Sequence, residues 1–225
     1  MGHPARIYLP DFSLHIMRRG NDRCAIVRDD TDREELLRIF GVASTALGVS
    51  VHGFTVMTTH YHLIATPQRA NALSQMMKAV GERYVRYYNA RYDRIGTLWS
   101  GRYRAIVIAD ERYWLTCLRY IEQNAWRAKM VSGPESYAWS SCRMHALGET
   151  IDWLVPHAVY LGLGATPEKR QEAYRAICGV MLTDDELAQQ RHPPTKKRVS
   201  DVSDTPDDDR QQQTLESVSD VSDTP

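Results

Sequence analysis

Nowhere in the 225 residues does an apolar run approach the roughly 18 residues that a membrane-spanning helix requires. The first residues lack the charged-then-apolar pattern of a secretory signal, and Arg6 stands where a myristoylation pattern calls for Ser or Thr. Cysteine is scarce: Cys24, Cys117, Cys142 and Cys178 are widely spaced. No two form a Cys-x-x-Cys pair, which argues against a zinc knuckle or a dithiol redox motif and for ordinary reduced thiols in a cytoplasmic protein. Net charge is missing as well, 28 basic side chains being matched by 28 acidic ones. That balance conceals a division along the chain. Residues 190–225 carry five basic and eight acidic side chains, leaving 23 basic and 20 acidic in residues 1–189. Within the larger part, ERYVRYYNARYDRIGTLWSGRYR (82–104) holds six arginines against two acids, with five tyrosines and a tryptophan interleaved. Local charge, not the total, sets what a surface attracts.

The last 36 residues contain no aromatics, and the octamer VSDVSDTP occurs there twice, at 199–206 and 218–225. Such a polar repeat buries too little apolar surface to offset chain entropy, so residues 191–225 are expected to be a disordered tail.

The rest reads as alternating elements. SLHIMRR (13–19) has the pattern of a strand, followed by a helix with Thr31 as N-cap, an apolar face of Leu36, Leu37, Ile39 and Phe40, and Gly48 at its end. Residues 49–67 divide into two strands about a turn near Thr58 and Thr59. A long helix spans 70–92, a strand 101–109, and a helix capped by Asp110 runs to about Met130. The order β-α-β-β-α-β-α predicts an α+β fold, a ferredoxin-like (RRM-like) antiparallel sheet with helices on one face. Residues 1–131 form this domain. Residues 132–190 are a helical extension, with Thr166-Pro167 opening one helix and Thr183 with Glu186 forming a capping box for the last.

In MTTHYHLIAT (57–66), alternation along a strand puts His60 and His62 on one face, about 7 Å apart, and Tyr61 on the other. Two imidazoles on one face suit either a metal or a wet surface. The helix after Asp110 has a core stripe of Trp114, Cys117, Leu118, Ile121 and Ala125, with Tyr120 and Asn124 about 40° apart on its flank. Tyr113 and Arg127 fall nearly on Tyr120's line. Glu122 points away, while Gln123 is left open as a neighbour of the site. If this helix lies beside the histidine strand, two imidazole nitrogens and an amide oxygen can surround one divalent cation. A mixed N/O set with open positions suits Mg²⁺ or Mn²⁺ holding a phosphate. Tyr120, a turn away, is then placed to attack that phosphate.

VMTTHYHLIATP (56–67) resembles the histidine–hydrophobic–histidine strand of the HUH single-tyrosine transposases, the insertion-sequence 200-like family, and LRYIEQNAWRA (118–128) resembles their nucleophile helix. RRGNDR (18–23), GTLWSGRYRA (96–105) and YAWSSC (137–142) look like motifs of the REP-associated tyrosine transposases, and the resemblance covers roughly residues 5–187. It implies metal-dependent cleavage and rejoining of single-stranded DNA at the foot of a hairpin. Tyr120 would be the nucleophile, forming a 5′-phosphotyrosine, and His60, His62 and Asn124 the ligands of Mg²⁺ or Mn²⁺. The resemblance also implies a nucleoid-associated protein acting as a monomer or homodimer. Two departures stand out. Asn124 is followed by Ala125 where the family usually has proline, which should loosen a helix end, and the ordered helical region of relatives gives way here to AQQRHPPTKKR and the repeated octamer.

Tyr84 and Tyr88 continue the apolar stripe of Met77 and Val80 and read as core. Arg18, Arg19, Arg83, Arg86, Arg91, Arg102, Arg104 and Arg127 are candidate DNA contacts, because phosphates want cations. The rival reading is a domesticated nucleic-acid-binding protein that uses the same fold without cutting.

Overall fold

A computed structural model describes residues 10–108 and 110–191. The expected tail, from residue 192 onward, lies outside the described residues. Strand β1 (Leu14–Arg19) leads through a 3₁₀ turn at Asn21–Arg23 to helix α1 (Asp30–Leu47). Strands β2 (Val49–Val56) and β3 (His60–Pro67) form a hairpin, helix α2 (Ala72–Arg91) follows, and β4 (Arg104–Val107) closes the sheet. The strand order is β2-β3-β1-β4, every neighbouring pair antiparallel. This is the predicted ferredoxin-like arrangement.

Alternation divides the sheet. Leu14, Ile16, Tyr61, Leu63, Phe54 and Val56 are buried on the face that joins one hydrophobic core with α1 and α2. Helix α1 is capped two residues earlier than Thr31: the Asp29 side chain accepts from Asp32 N at 3.1 Å, placing Thr31 inside the first turn. Asp32 itself is fully buried. Its carboxylate accepts from Arg28 N (2.7 Å), Tyr92 Oη (2.7 Å), Tyr87 Oη (3.0 Å) and Arg91 Nη1 (2.6 Å), tying α1 to the end of α2.

The opposite face carries Gly53 and Thr55 of β2, Ile64, His62 and His60 of β3, His15 and Met17 of β1, and Arg104 of β4, as the register requires. Helix α3 (Glu111–Glu122), capped by Asp110, packs here through Leu118 and Ile121. Gly53 permits the approach, since a Cβ at that position would lie 2.6 Å from Leu118 Cδ1 and 3.2 Å from Ser141 Oγ. Gly53→Ala is therefore expected to overpack this contact and cost about 1–3 kcal/mol, read as a lower denaturant midpoint at unchanged slope.

The predicted helix from Asp110 to Met130 is in fact broken. Helix α3 ends at Glu122, Gln123 intervenes, and α4 is a single turn (Asn124–Arg127). The break coincides with a clamp. The fully buried Gln123 carboxamide donates to Cys178 O (2.8 Å) and Val180 O (2.7 Å) and accepts from Leu182 N (3.2 Å). Gln123 thus holds the C-terminal segment rather than neighbouring the histidines.

Much of residues 132–191 packs on the same side as α3, while Trp153 and Leu154 join the first core, Trp153 stacking on Phe54 with ring centroids 5.4 Å apart. YAWSSC runs along the outer edge of β2, with Val56 N donating to Trp139 O (2.9 Å) and Ser141 N to Phe54 O (3.0 Å). Helices α5 (Cys142–Leu147), α6 (Ala158–Leu161) and α7 (Pro167–Cys178, capped by Thr166) share a core with α3, and α8 (Asp184–Arg191) opens on the reciprocal Thr183–Glu186 bonds. RRGNDR and GTLWSGRYRA meet at the end of β1, where Asn21 N donates to Leu98 O and Ser100 N to Arg19 O. No described helix is long and apolar enough to cross a membrane.

Candidate active site

His60 and His62 lie on the α3 side of the sheet with ring centroids 5.1 Å apart. Tyr120 comes down from α3, its ring 5.8 Å from that of His62. A third imidazole joins them. His15 of β1 lies 5.1 Å from His62 and 5.8 Å from Tyr120, and its Nε2 is hydrogen-bonded to His62 Nδ1 at 2.9 Å. The Arg127 guanidinium sits 4.7 Å from the Tyr120 ring centroid, and its Nη1 is buried with no hydrogen-bond partner among the described residues. Asn124 lies in the chain between Tyr120 and Arg127, both at the site; it is partly buried, and no described residue hydrogen-bonds its carboxamide.

Tyr61 points away into the first core and packs against Phe40 and Trp99, as strand alternation requires. Tyr113 is buried in the second core, whereas Tyr120 is only partly so.

The imidazoles share a physical state. Burial, with a smaller contribution from the Arg104 charge, lowers His15 to about 4. Burial, reinforced by His15, His60 and Arg127, holds His62 well below the ordinary histidine range, and burial lowers His60. All three are neutral at pH 7, the form that can bind a metal. The donor set fits a cation in another respect. His60 Nδ1 contacts Thr59 Oγ1 at 3.1 Å and His62 Nδ1 contacts His15, so each ring has one nitrogen engaged and Nε2 left over.

Distance alone brings together another group able to hold a metal, Glu122, Cys142 and Cys178. Its carboxylate is already taken, accepting from Ser141 Oγ, His145 Nδ1 and Tyr174 Oη. Those bonds make it a structural network on the far side of α3. The cysteines are all free thiols. His52 likewise serves structure, bonding Val155 O and Thr66 Oγ1.

The candidate DNA-binding arginines separate. Arg19 pairs across from His60, and Arg104 across from Met17, which itself pairs with His62, so both lie on the histidine face, exposed. Arg18 faces the opposite way, 4.6 Å over Trp99 and beneath α2, and Arg102 borders the same cleft. Arg83 and Arg86 are exposed on α2. Arg91 differs from the others in that its guanidinium is engaged within the fold, bonding Asp29 and Asp32 at the start of α1 and Tyr87. His15 is the site residue that sequence pattern does not single out. Its place between Leu14 and Ile16 puts it on the face away from the main core, but only the strand register shows that His62 shares that face.

An antiparallel α+β domain with a histidine pair, a tyrosine and an arginine gathered on one sheet face is the class that fold and site define. Residues 9–124 match the family described as "Transposase IS200 like". The chain belongs to that family and is a transposase. Among solved structures, it resembles a REP-associated tyrosine transposase bound to a REP hairpin, with 14% identity, 70% of this chain and 93% of that one covered, and a TM-score of 0.55. It also matches a protein of Deinococcus radiodurans described as a candidate transposase, with 19% identity, 49% and 89% covered, and a TM-score of 0.38, too low to carry an argument. No curated protein sequence matches it significantly.

Proposed function

We propose that the chain is a metal-dependent endonuclease and strand transferase for single-stranded DNA, with Tyr120 as nucleophile. The observation that carries this reading is the meeting of Tyr120 with His60 and His62 on one sheet face beneath Arg127. His60, His62 and Asn124 would hold Mg²⁺ or Mn²⁺. When bound, that ion polarises a phosphate and draws off its charge. Arg127, with an unsatisfied buried donor, would donate to the same phosphate, and Arg19 and Arg104 to the flanking backbone. Tyr120 Oη forms the bond to phosphorus as the bond to the 3′ oxygen breaks. The phenolic proton passes to solvent, and the departing oxygen is protonated to a 3′-hydroxyl. A second 3′-hydroxyl attacking the 5′-phosphotyrosine reverses the step and joins strands without ATP. A hairpin beside the cleavage point is the proposed partner, by analogy with the hairpin-bound relative. Residues 1–131 would carry the chemistry and 132–190 brace the nucleophile helix.

The test is incubation with hairpin-flanked single-stranded DNA and Mn²⁺, followed by a denaturing gel. A covalent protein–DNA adduct is expected. Binding without cleavage under any divalent ion would favour the domesticated binder. Separately, Arg127→Ala is expected to reduce the salt dependence of oligonucleotide binding by about 0.7 in log–log slope, the value of one single-strand phosphate contact. Arg91→Ala should leave that slope unchanged and cost about 1–2 kcal/mol of stability, since it strips one charged donor from buried Asp32. Anisotropy titrations across salt and a denaturant curve check both.

A further inference from the structure

We infer that His15 is a positioning residue for the proposed metal centre: its Nε2 accepts the Nδ1 proton of His62 and so makes His62 Nε2 the ligand atom. This rests on the reading of His62 as a ligand. A neutral imidazole carries one N–H, so a ring that offers one nitrogen to a cation holds its proton on the other, and that N–H needs an acceptor. His62 is almost wholly buried, and the only described group bonded to its Nδ1 is His15 Nε2, at 2.9 Å.

Two arrangements satisfy that bond. If His15 donates from Nε2, His62 accepts at Nδ1 and turns an N–H toward the site, where no cation can use it. If His62 donates, its Nε2 lone pair is free, and the proton of His15 moves to Nδ1. His15 Nδ1 is buried and without a partner among the described residues. The second arrangement therefore strands a buried donor, a cost that packing alone would not incur, whereas the first strands only an acceptor. Cation binding selects the second, and the two protons change places as a pair. His60 needs no such partner strand, because Thr59 Oγ1 stands beside its Nδ1. His15 also touches the Tyr120 ring, so the same imidazole fixes ligand and nucleophile relative to each other.

The experiment uses the full chain and Mn²⁺ or Mg²⁺ alone, without DNA. His15→Phe keeps a planar ring but has no acceptor, and is expected to lower Mn²⁺ affinity by calorimetry about 10- to 100-fold. His15→Gln, whose amide oxygen can stand in for Nε2, is expected to restore most of it. In histidine-labelled wild-type protein, ¹⁵N spectra with Mg²⁺ should show His62 protonated at Nδ1 and His15 at Nδ1. Wild-type affinity in His15→Phe, or a His15 that keeps its Nε2 proton with Mg²⁺ bound, would overturn the inference. His62→Ala is the control for the reading beneath it. If His62→Ala binds Mn²⁺ as well as wild type, the metal centre itself is wrong; if it loses affinity while His15→Phe does not, only the role of His15 falls.

Discussion

Tyr120→Phe is expected to abolish the covalent adduct and to lower cleavage by at least about 10³-fold, because it removes the oxygen that forms the covalent intermediate. The substitution is clean. The phenyl ring keeps its edge contacts with His15 and His62 and its place under Arg127. Only the oxygen leaves, and it leaves from a partly exposed position, so stability should move by less than about 0.5 kcal/mol. Mn²⁺ affinity and oligonucleotide affinity are expected to stay within about twofold, since neither histidine nor the arginines change. A denaturing gel with end-labelled DNA reads adduct and product together. Tyr113→Phe is the matched control. Tyr113 lies on the same line of α3, two turns earlier, but is buried beside α8, with its hydroxyl 3.5 Å from Gln189 O. It should retain the adduct. Cleavage that survives in Tyr120→Phe would identify water as the nucleophile and sink the proposed mechanism.

The distinction of Tyr120 from Tyr113 is legible in the sequence only through Asn124, one turn after Tyr120, because the two tyrosines share a line on the helix. So are the strands, since period-two alternation assigns Tyr61 inward and the histidines outward from the same eight residues. The order of elements leads to the sheet order for the same reason: few connections satisfy that alternation of strands and helices. What local pattern cannot supply is set by partners far along the chain. The break after Glu122 looks like continuous helix in sequence, and Gln123 is an ordinary helix former. Its amide is held by Cys178, Val180 and Leu182, more than fifty residues away. Arg91 sits in an arginine-rich stretch that invites a phosphate, yet Asp29, the N-cap of α1, and Asp32 in its first turn bind its guanidinium. His15 needs the register. α3 stops two residues before Asn124 although no proline follows it, and the Gln123 clamp coincides with the interruption.

Glu122 shows how the bracing of that helix end can be measured apart from its chemistry. It lies two residues after Tyr120, on the far side of α3, and is fully buried. Its carboxylate accepts from Ser141 Oγ (2.5 Å), His145 Nδ1 (2.8 Å) and Tyr174 Oη (2.5 Å), one donor before α5, one within it and one in α7. Ser141 Oγ also accepts from Phe54 N of β2, so the network runs from the sheet through α3 into the extension. Glu122→Ala removes the shared acceptor, leaves three buried donors without it and opens a cavity. The expected cost is about 3–5 kcal/mol, the range for breaking a buried polar network by deleting one member. For a domain of this size that corresponds to a melting temperature lower by about 10 °C. Glu122→Gln keeps an acceptor oxygen but turns an NH₂ toward donors, and should cost about 1–2 kcal/mol. Calorimetry or a circular-dichroism melt gives both values. Neither variant touches the histidine face, so the adduct should still form well below the melting temperature and fail early on heating, the reverse of Tyr120→Phe. A Glu122→Ala protein as stable as wild type would mean that the extension does not brace the nucleophile helix through this carboxylate.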